Sequence, residues 1–503
     1  MMNSFTQPPR RATRGSRATK MLCAVATCVT PSPGFATVNA PKLEAARPFE
    51  SHLRRSIAIE GEEQGQFHLA DRMVHYRVPA VSVAVIDGCR IVDARAFGRS
   101  ASGASVTPRT LFQAGSISKS ITAVAVLKLV EQKKLSLDHD IQPLLTSWTL
   151  KGSSLKATEP VTLRRLLNHT AGVNEIGGFG YAPGTPIPTV TQILDGLPPT
   201  NTPAVRIEST PGSRWLYSSG GYYVVQALMT DVSGEAFPRI VDRLVLGPAG
   251  MNDSIFAQPL DTKRARLAAA AVGPDGSAMP GGWRVNPELA AGGLWSTPSD
   301  LARFAIALAR SARGENGGLL GLDATRQMMT PGLKNWGLGV ELGPAPGPRR
   351  FGHTGHNTGF VSEFVMYPDS CQGAAVMTNA DEGGWLVTEV LRAVGDVYGW
   401  PGRRPSPVQA AVPLTEAIAA RFVGTFRLRD FPGEGFTVSR MPDRKLYWAR
   451  IGHVGRELLP ESETRLFSPD SRMSLEVVDK EARRAETLEL GFGGGKNVAE
   501  RVE

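Results

Sequence analysis

The chain has 503 residues, 42% of them hydrophobic and 20% charged, a length for two or three domains at roughly 150 residues each. That composition excludes a disordered chain, a collagen-like repeat and a coiled-coil rod, and the lack of any apolar run of about 18 residues excludes a polytopic membrane protein. The net charge of +9 does not mark a nucleic-acid binder: residues 1–36 carry Arg10, Arg11, Arg14, Arg17, Lys20 and no acid, leaving 51 basic against 47 acidic residues and no basic stripe.

In chain order, the basic stretch is followed by a short apolar run at 21–29, then Pro31, Pro33 and small residues ending at Ala36. This is the order of a secretory signal over 1–36, so a periplasmic or secreted protein is expected, with a disordered tail as the alternative. Cys23 and Cys28 leave with such a leader. Cys89 and Cys371 remain and are expected to be core residues; one bridge between them fits an oxidising compartment but has no support in the sequence. Residues 49–77 read as largely helical. The runs 81–86 and 91–97 flank Asp87-Gly88, which predicts a hairpin. Helices are predicted at 116–132, 161–168, 220–232 and 298–312, and strands at 336–341, 360–367 and 373–379. Strands first, helices between and strands again describe an α+β fold whose terminal strands share one antiparallel sheet. A linker over 401–413 holds Pro401, Pro405, Pro407 and Pro413. Beyond it, runs at 422–427, 435–439, 446–451, 464–467, 474–478 and 487–492 alternate with turn residues, the pattern of a small antiparallel barrel. It holds no Cys and one histidine, His453, and is expected to be a structural or positioning module.

Three segments carry candidate chemistry. Ser116-Ile117-Ser118-Lys119 opens the most helical stretch, so Ser116 and Lys119 share a face. A serine there lies in the positive end of the helix field, and a desolvated lysine takes its proton. The same four residues also describe a capping serine beside a solvated lysine. Tyr217 follows the Pro211-Gly212 turn in Trp215-Leu216-Tyr217-Ser218-Ser219, and reads either as a cleft group or as a core tyrosine. Phe351-Gly352-His353-Thr354-Gly355-His356 leads into the strand at 360–367, either as a glycine-opened approach to a ligand or as an ordinary turn.

Together and in this order, S-x-x-K, Y-x-S and H-T-G resemble the penicillin-recognising serine hydrolases: class C-type β-lactamases, D-alanyl-D-alanine carboxypeptidases and related esterases. The runs 161–172, 246–251 and 291–297 add to the likeness, which spans roughly 50 to 395; the tail resembles, more loosely, the lipocalin-like barrels appended to some members. The resemblance implies a β-lactamase/transpeptidase-like α+β fold, an antiparallel sheet flanked by helices with an all-helical subdomain, over 45–400, a linker over 401–413 and a barrel over 414–503. It implies Ser116 as nucleophile, Lys119 as its partner and Tyr217 as the second acid–base group. His353 and Thr354 are then expected at the substrate's carboxylate or ester side, and the N–H groups of Ser116 and His356, with Gly355 between, at the oxyanion. Ser219 stands where the family has asparagine, which argues against efficient lactam hydrolysis. His353 stands where the β-lactamases have lysine, and its charge is expected to change between about pH 5.5 and 8.

The expected activity is therefore acyl-enzyme hydrolysis of a small-molecule ester or a D-amino-acid amide or peptide, without cofactor or metal, nucleic-acid partner or membrane span. Alternatives are a D-alanyl-D-alanine carboxypeptidase, a β-lactamase proper, or an inactive cell-wall-peptide binder of the same fold. A zinc pair of His353 and His356 lacks a third ligand, and no G-x-S-x-G supports an α/β-hydrolase. The long Gly/Pro-rich stretch from 172 to 212 is expected to hold substrate choice, as a cleft wall or a surface excursion.

Overall fold

A computed structural model describes residues 48–502 apart from 64, 152–158, 179, 432 and 493–494; the expected signal lies outside the described residues. The predicted hairpin forms from Ala80–Asp87 and Arg90–Gly98. Its two-residue turn is Gly88-Cys89, both at positive φ (+54° and +60°) as a tight hairpin with right-handed strand twist requires. Both faces of the first strand are covered: Val81, Val83 and Val85 enter one core, Ala80, Ala84 and Ile86 another. That is why the run reads as continuously apolar.

The central sheet is antiparallel, in the order 90–98, 80–87, 372–378, 360–367, 351–357, 341–342, so the N-terminal hairpin and the C-terminal strands do share it. Helices Leu69–Tyr76 and Gly383–Tyr398 cover the face of Val81 and Val376. The other face packs on Ile117–Glu131 and Pro298–Arg313, beyond which Ser219–Ser233 and shorter helices build a largely helical region. Ile117–Glu131 is buried nearly all round, the signature of a central helix.

Three expectations are corrected. Residues 49–77 hold one helix, Leu69–Tyr76, preceded by extended chain in which Leu53 bridges Phe67 and Ala58–Ile59 pairs with Val408–Gln409; Gly61 and Gly65 interrupt any longer helix. The strand expected at 336–341 shrinks to Glu341–Leu342 because Gly339 takes φ +74°. Cys89 and Cys371 are joined in a disulfide with Cα atoms 5.0 Å apart, and Cys89 N donates to Cys371 O at 3.1 Å. The sheet order sets two hairpin turns side by side, a proximity hidden by 282 residues of separation.

After the proline-rich stretch come helix Glu416–Phe422 and eight strands that close into a barrel when Gly424–Leu428 pairs with Gly495–Arg501. Phe422, Phe426, Phe436, Leu446, Leu475 and Leu488 fill its core. The strands Arg456–Ser462 and Gly495–Arg501 were not expected: the first contains Pro460 beside a bulge and the second is mostly polar. No helix of the described residues is long and apolar enough to cross a membrane.

Candidate active site

Ser116 takes the cap position of helix Ile117–Glu131, yet its side chain makes no capping bond. Its Oγ instead accepts from Lys119 Nζ at 3.0 Å, one turn along, and the same amine donates to Ala291 O at 3.0 Å. Lys119 is fully buried, which rules out a solvated lysine. Burial, with no carboxylate to offset it, brings the amine from 10.5 down to about 7.

Tyr217 arrives on the segment before helix Ser219–Ser233, whose Ser218 cap accepts from Gly221 N. Lys119 Nζ lies 4.9 Å from the Tyr217 ring centre. Burial raises the phenol well above its usual range, against the opposing influence of the Ser116 hydroxyl. The ring sits 4.4 Å from His169 and 5.7 Å from Trp336. His169, at φ +62°, accepts from Ser218 N at 3.2 Å, so this buried imidazole orders the chain on which Tyr217 is carried. Burial, then the charge of Lys119, holds His169 well below the ordinary histidine range.

The H-T-G segment is itself a strand, Phe351–Asn357, not a turn. Gly355 lies against the serine turn so closely that a β-carbon there would be 1.9 Å from Ala114 O and 3.2 Å from Ser116 N. Conversely, Gly115 (φ +51°) would place one 2.6 Å from His356 N. The backbone amides of Ser116 and His356 are thereby brought to one place, beside the helix N-terminus.

The strand's alternation separates its two histidines, and the burial of one corrects the expectation that His353 changes charge at working pH. His353 points inward, 3% exposed, while His356 points outward with 59% of its side chain exposed; they lie on opposite faces and form no zinc pair. His353 Nδ1 donates to Thr354 O and Nε2 has no partner among the described residues. Burial, then the charge of Lys119, lowers its pKa to about 3, so His353 stays neutral from pH 5.5 to 8 and offers no charge to a carboxylate. His356 Nε2 pairs with Asp381 at 3.0 Å, and Asp381 also accepts from Gly359 N at 2.7 Å.

A cavity of about 300 Å³ opens over Ser116 and is lined by Tyr217, Ser219 and His356, but not by His353, Thr354 or Gly355. Ser219 stands against the Tyr223 hydroxyl. Asn286 and Asn357 both donate to Gln113 Oε1, at 2.9 and 2.7 Å, which fixes that wall. Gly177 and Gly178 bring the 172–212 stretch to the cavity. Sequence reasoning passed over Asn286, Glu288 and Asn357 in this lining. It also passed over His169, which lies within the 161–172 run, and Asp381, which had no local signal.

The pattern of the family described as Beta-lactamase matches residues 67–398. The chain is 24% identical over 387 residues to penicillin-binding protein 4* of Bacillus subtilis (strain 168), covering 71% of this chain and 80% of that protein. In fold it is similar to the octameric penicillin-binding protein homologue from Pyrococcus abyssi (TM-score 0.53, 21% identity, 86% of this chain and 98% of that one). It is similar too to D-amino acid amidase from Ochrobactrum anthropi SV3 complexed with D-phenylalanine (TM-score 0.54, 20% identity, 66% and 97%). With the match spanning well over half its length, Ser116 and Tyr217 lining one cavity and Lys119 bonded to Ser116 from beneath it, this chain belongs to the β-lactamase family of serine hydrolases.

Proposed function

We propose that the protein hydrolyses an ester or a D-amino-acid amide or peptide through an acyl-enzyme on Ser116, with little activity on β-lactams. The observation that carries this reading is the buried Lys119 amine 3.0 Å from Ser116 Oγ, brought down to about 7, where a substantial fraction is neutral at working pH. Neutral Lys119 takes the Ser116 proton as Oγ bonds to the substrate carbonyl carbon. The carbonyl oxygen, now an anion, accepts from the N–H groups of Ser116 and His356. Tyr217, which burial keeps protonated, gives its proton to the leaving group as the carbon–heteroatom bond breaks, and regains one from Lys119. Water then attacks the ester, and its proton passes back along the same groups to Ser116 Oγ.

The low lactam activity is argued from Ser219, whose one hydroxyl already faces Tyr223 and cannot replace an amide's donor and acceptor. Short-chain p-nitrophenyl esters are expected to exceed penicillins and cephalosporins in kcat/KM by at least about tenfold, the order of one good hydrogen bond. Ser219→Asn is expected to shift the ratio toward lactams. Export fits the same reading, and the mature N-terminus of the secreted protein is its test. The decisive experiment is intact-mass labelling with a serine-acylating probe. The wild type gains one label and loses it with time, whereas Ser116→Ala gains none and loses turnover by about 10⁴-fold or more. An unlabelled wild type favours the binding-protein alternative.

A further inference from the structure

Six acidic residues are buried as whole residues among the described ones: Asp93, Glu288, Asp300, Glu389, Glu457 and Asp470. Five have a cationic partner within the fold. Asp93 meets Arg95, Asp300 meets Arg303, Glu457 meets Lys445, and Glu389 and Asp470 share Arg72. Glu288 is the exception among these six, and Glu363, a partly exposed acid that burial also raises to about 7, lies away from the catalytic cavity. Glu288 is 4% exposed, and neither carboxylate oxygen has a partner among the described residues. It also lines the catalytic cavity, together with Ser116, Tyr217 and Ser219.

An unpaired buried carboxylate is costly, and folds keep one chiefly where something arrives to pair with it. Gly178 faces it: a β-carbon there would lie 3.5 Å from Glu288 Oε1 and 3.4 Å from the Tyr223 hydroxyl. The glycine thus packs no side chain against the carboxylate from the cavity side. Burial pushes the carboxyl up to about 7, opposed by its own backbone amide, so it ionises readily once a cation is beside it. The cavity lining contains no lysine or arginine, and its one imidazole, His356, is held by Asp381. With His353 neutral and turned inward, the cleft offers an anion and no fixed cation.

We propose that Glu288 is the counter-ion for a protonated amine of the substrate, so that the cleft selects amino-acid amides and esters with a free amino group over N-acylated or carboxylate-terminated ones. This rests on the hydrolase reading of the same cavity and narrows its substrate class. The ammonium donates to Glu288, and the amide or ester carbonyl lies over Ser116.

The test separates binding from turnover. Calorimetry on the Ser116→Ala protein compares D-phenylalaninamide with 3-phenylpropanamide, which has the same skeleton without the amine. The charged ligand is expected to bind at least about tenfold more tightly, and adding Glu288→Gln is expected to erase the difference. Equal affinity for the two, or no binding of either, overturns the proposal whether or not the Gln variant folds, because the first comparison needs no change at Glu288. In the wild type, kcat/KM for D-alanine p-nitroanilide over N-acetyl-D-alanine p-nitroanilide is expected to exceed about tenfold and to collapse toward one in Glu288→Gln; an unchanged ratio overturns it. If the wild type takes no serine label and yet binds the amine preferentially, the hydrolase reading fails and the Glu288 site stands.

Discussion

In the proposed mechanism Lys119 serves function at the expense of stability. Its amine is held near 7 in the folded chain and near 10.5 when exposed, so folding between pH 7 and 10.5 removes a proton that the group would keep in water, and folding below pH 7 buries the charged amine. Below pH 7 the penalty is at full size; between pH 7 and 10.5 it shrinks as the unfolded chain also loses the proton. Lys119→Met is therefore expected to abolish turnover yet raise stability at pH 7 by an amount on the order of a few kcal/mol, fading toward pH 10.5. Denaturant titrations of both proteins at pH 7 and pH 10 check this, and a Met variant less stable at both pH values contradicts it. With the neutral amine as the proposed base, kcat/KM for a neutral ester is expected to rise with pH up to about 7 and then level. Ser116, Lys119, Tyr217 and Ser219 were legible in the sequence because local spacing carries them. Glu288 and His169 were not, because burial and the absence of a partner are properties of the packed chain, and one acid among apolar residues looks like any surface acid.

At the scale of elements, the site is a contact between a helix start and a strand. Helix Ile117–Glu131 and strand Phe351–Asn357 meet at Gly115 and Gly355, where two backbones approach closer than any β-carbon permits. Gly355→Ala, with its β-carbon directed at Ala114 O, is expected to push the strand away and separate the amides of Ser116 and His356. The loss is expected mainly in kcat, on the order of 10²–10³-fold as for removal of an oxyanion donor. Steady-state kinetics on a neutral ester decide it, since a change confined to KM argues that the two amides do not act on the oxyanion. The helix was legible from its apolar spacing and the hairpin from its Asp-Gly. The strand through His353 read as a turn because its glycines lower strand propensity; here they are required by the approach of the helix. The barrel's core runs were legible by alternation, whereas Arg456–Ser462 and Gly495–Arg501 were hidden by proline and charge.

At the scale of the molecule, the barrel is clamped to the catalytic part by buried charges. Arg72 Nη2 reaches Glu389 at 2.7 Å and Asp470 at 2.8 Å, His75 meets Asp470 at 2.8 Å, and Arg456 and His453 hold Glu382 at 2.6 and 2.9 Å. The sequence marked His453 as the barrel's one histidine but could not pair it, since Glu382 lies 71 residues away. Glu382 adjoins Asp381, which holds His356 at the cavity, so the acid that docks the barrel and the acid that holds the His356 strand are consecutive in the chain. Burial works against the Asp470 carboxylate, but the hydrogen bond from His75 and the charges of Arg72, His75 and Arg55 outweigh it and keep its pKa below the ordinary value. A carboxyl lowered in the docked state stabilises docking above its undocked pKa, about 3.9, and that support is lost as the pH falls through the lower, docked value. Removing Arg72 exposes the opposite weakness at neutral pH: Glu389 and Asp470 remain buried without their shared cation, which costs about 3–5 kcal/mol. Limited proteolysis within 401–413 reads the undocked population directly. The wild type is expected to resist cleavage from pH 8 to about 4 and to become sensitive below it, while Arg72→Ala is expected to be cut many-fold faster at pH 7. Equal cleavage of the two proteins at pH 7 shows that the charges merely decorate an interface held by its apolar contacts.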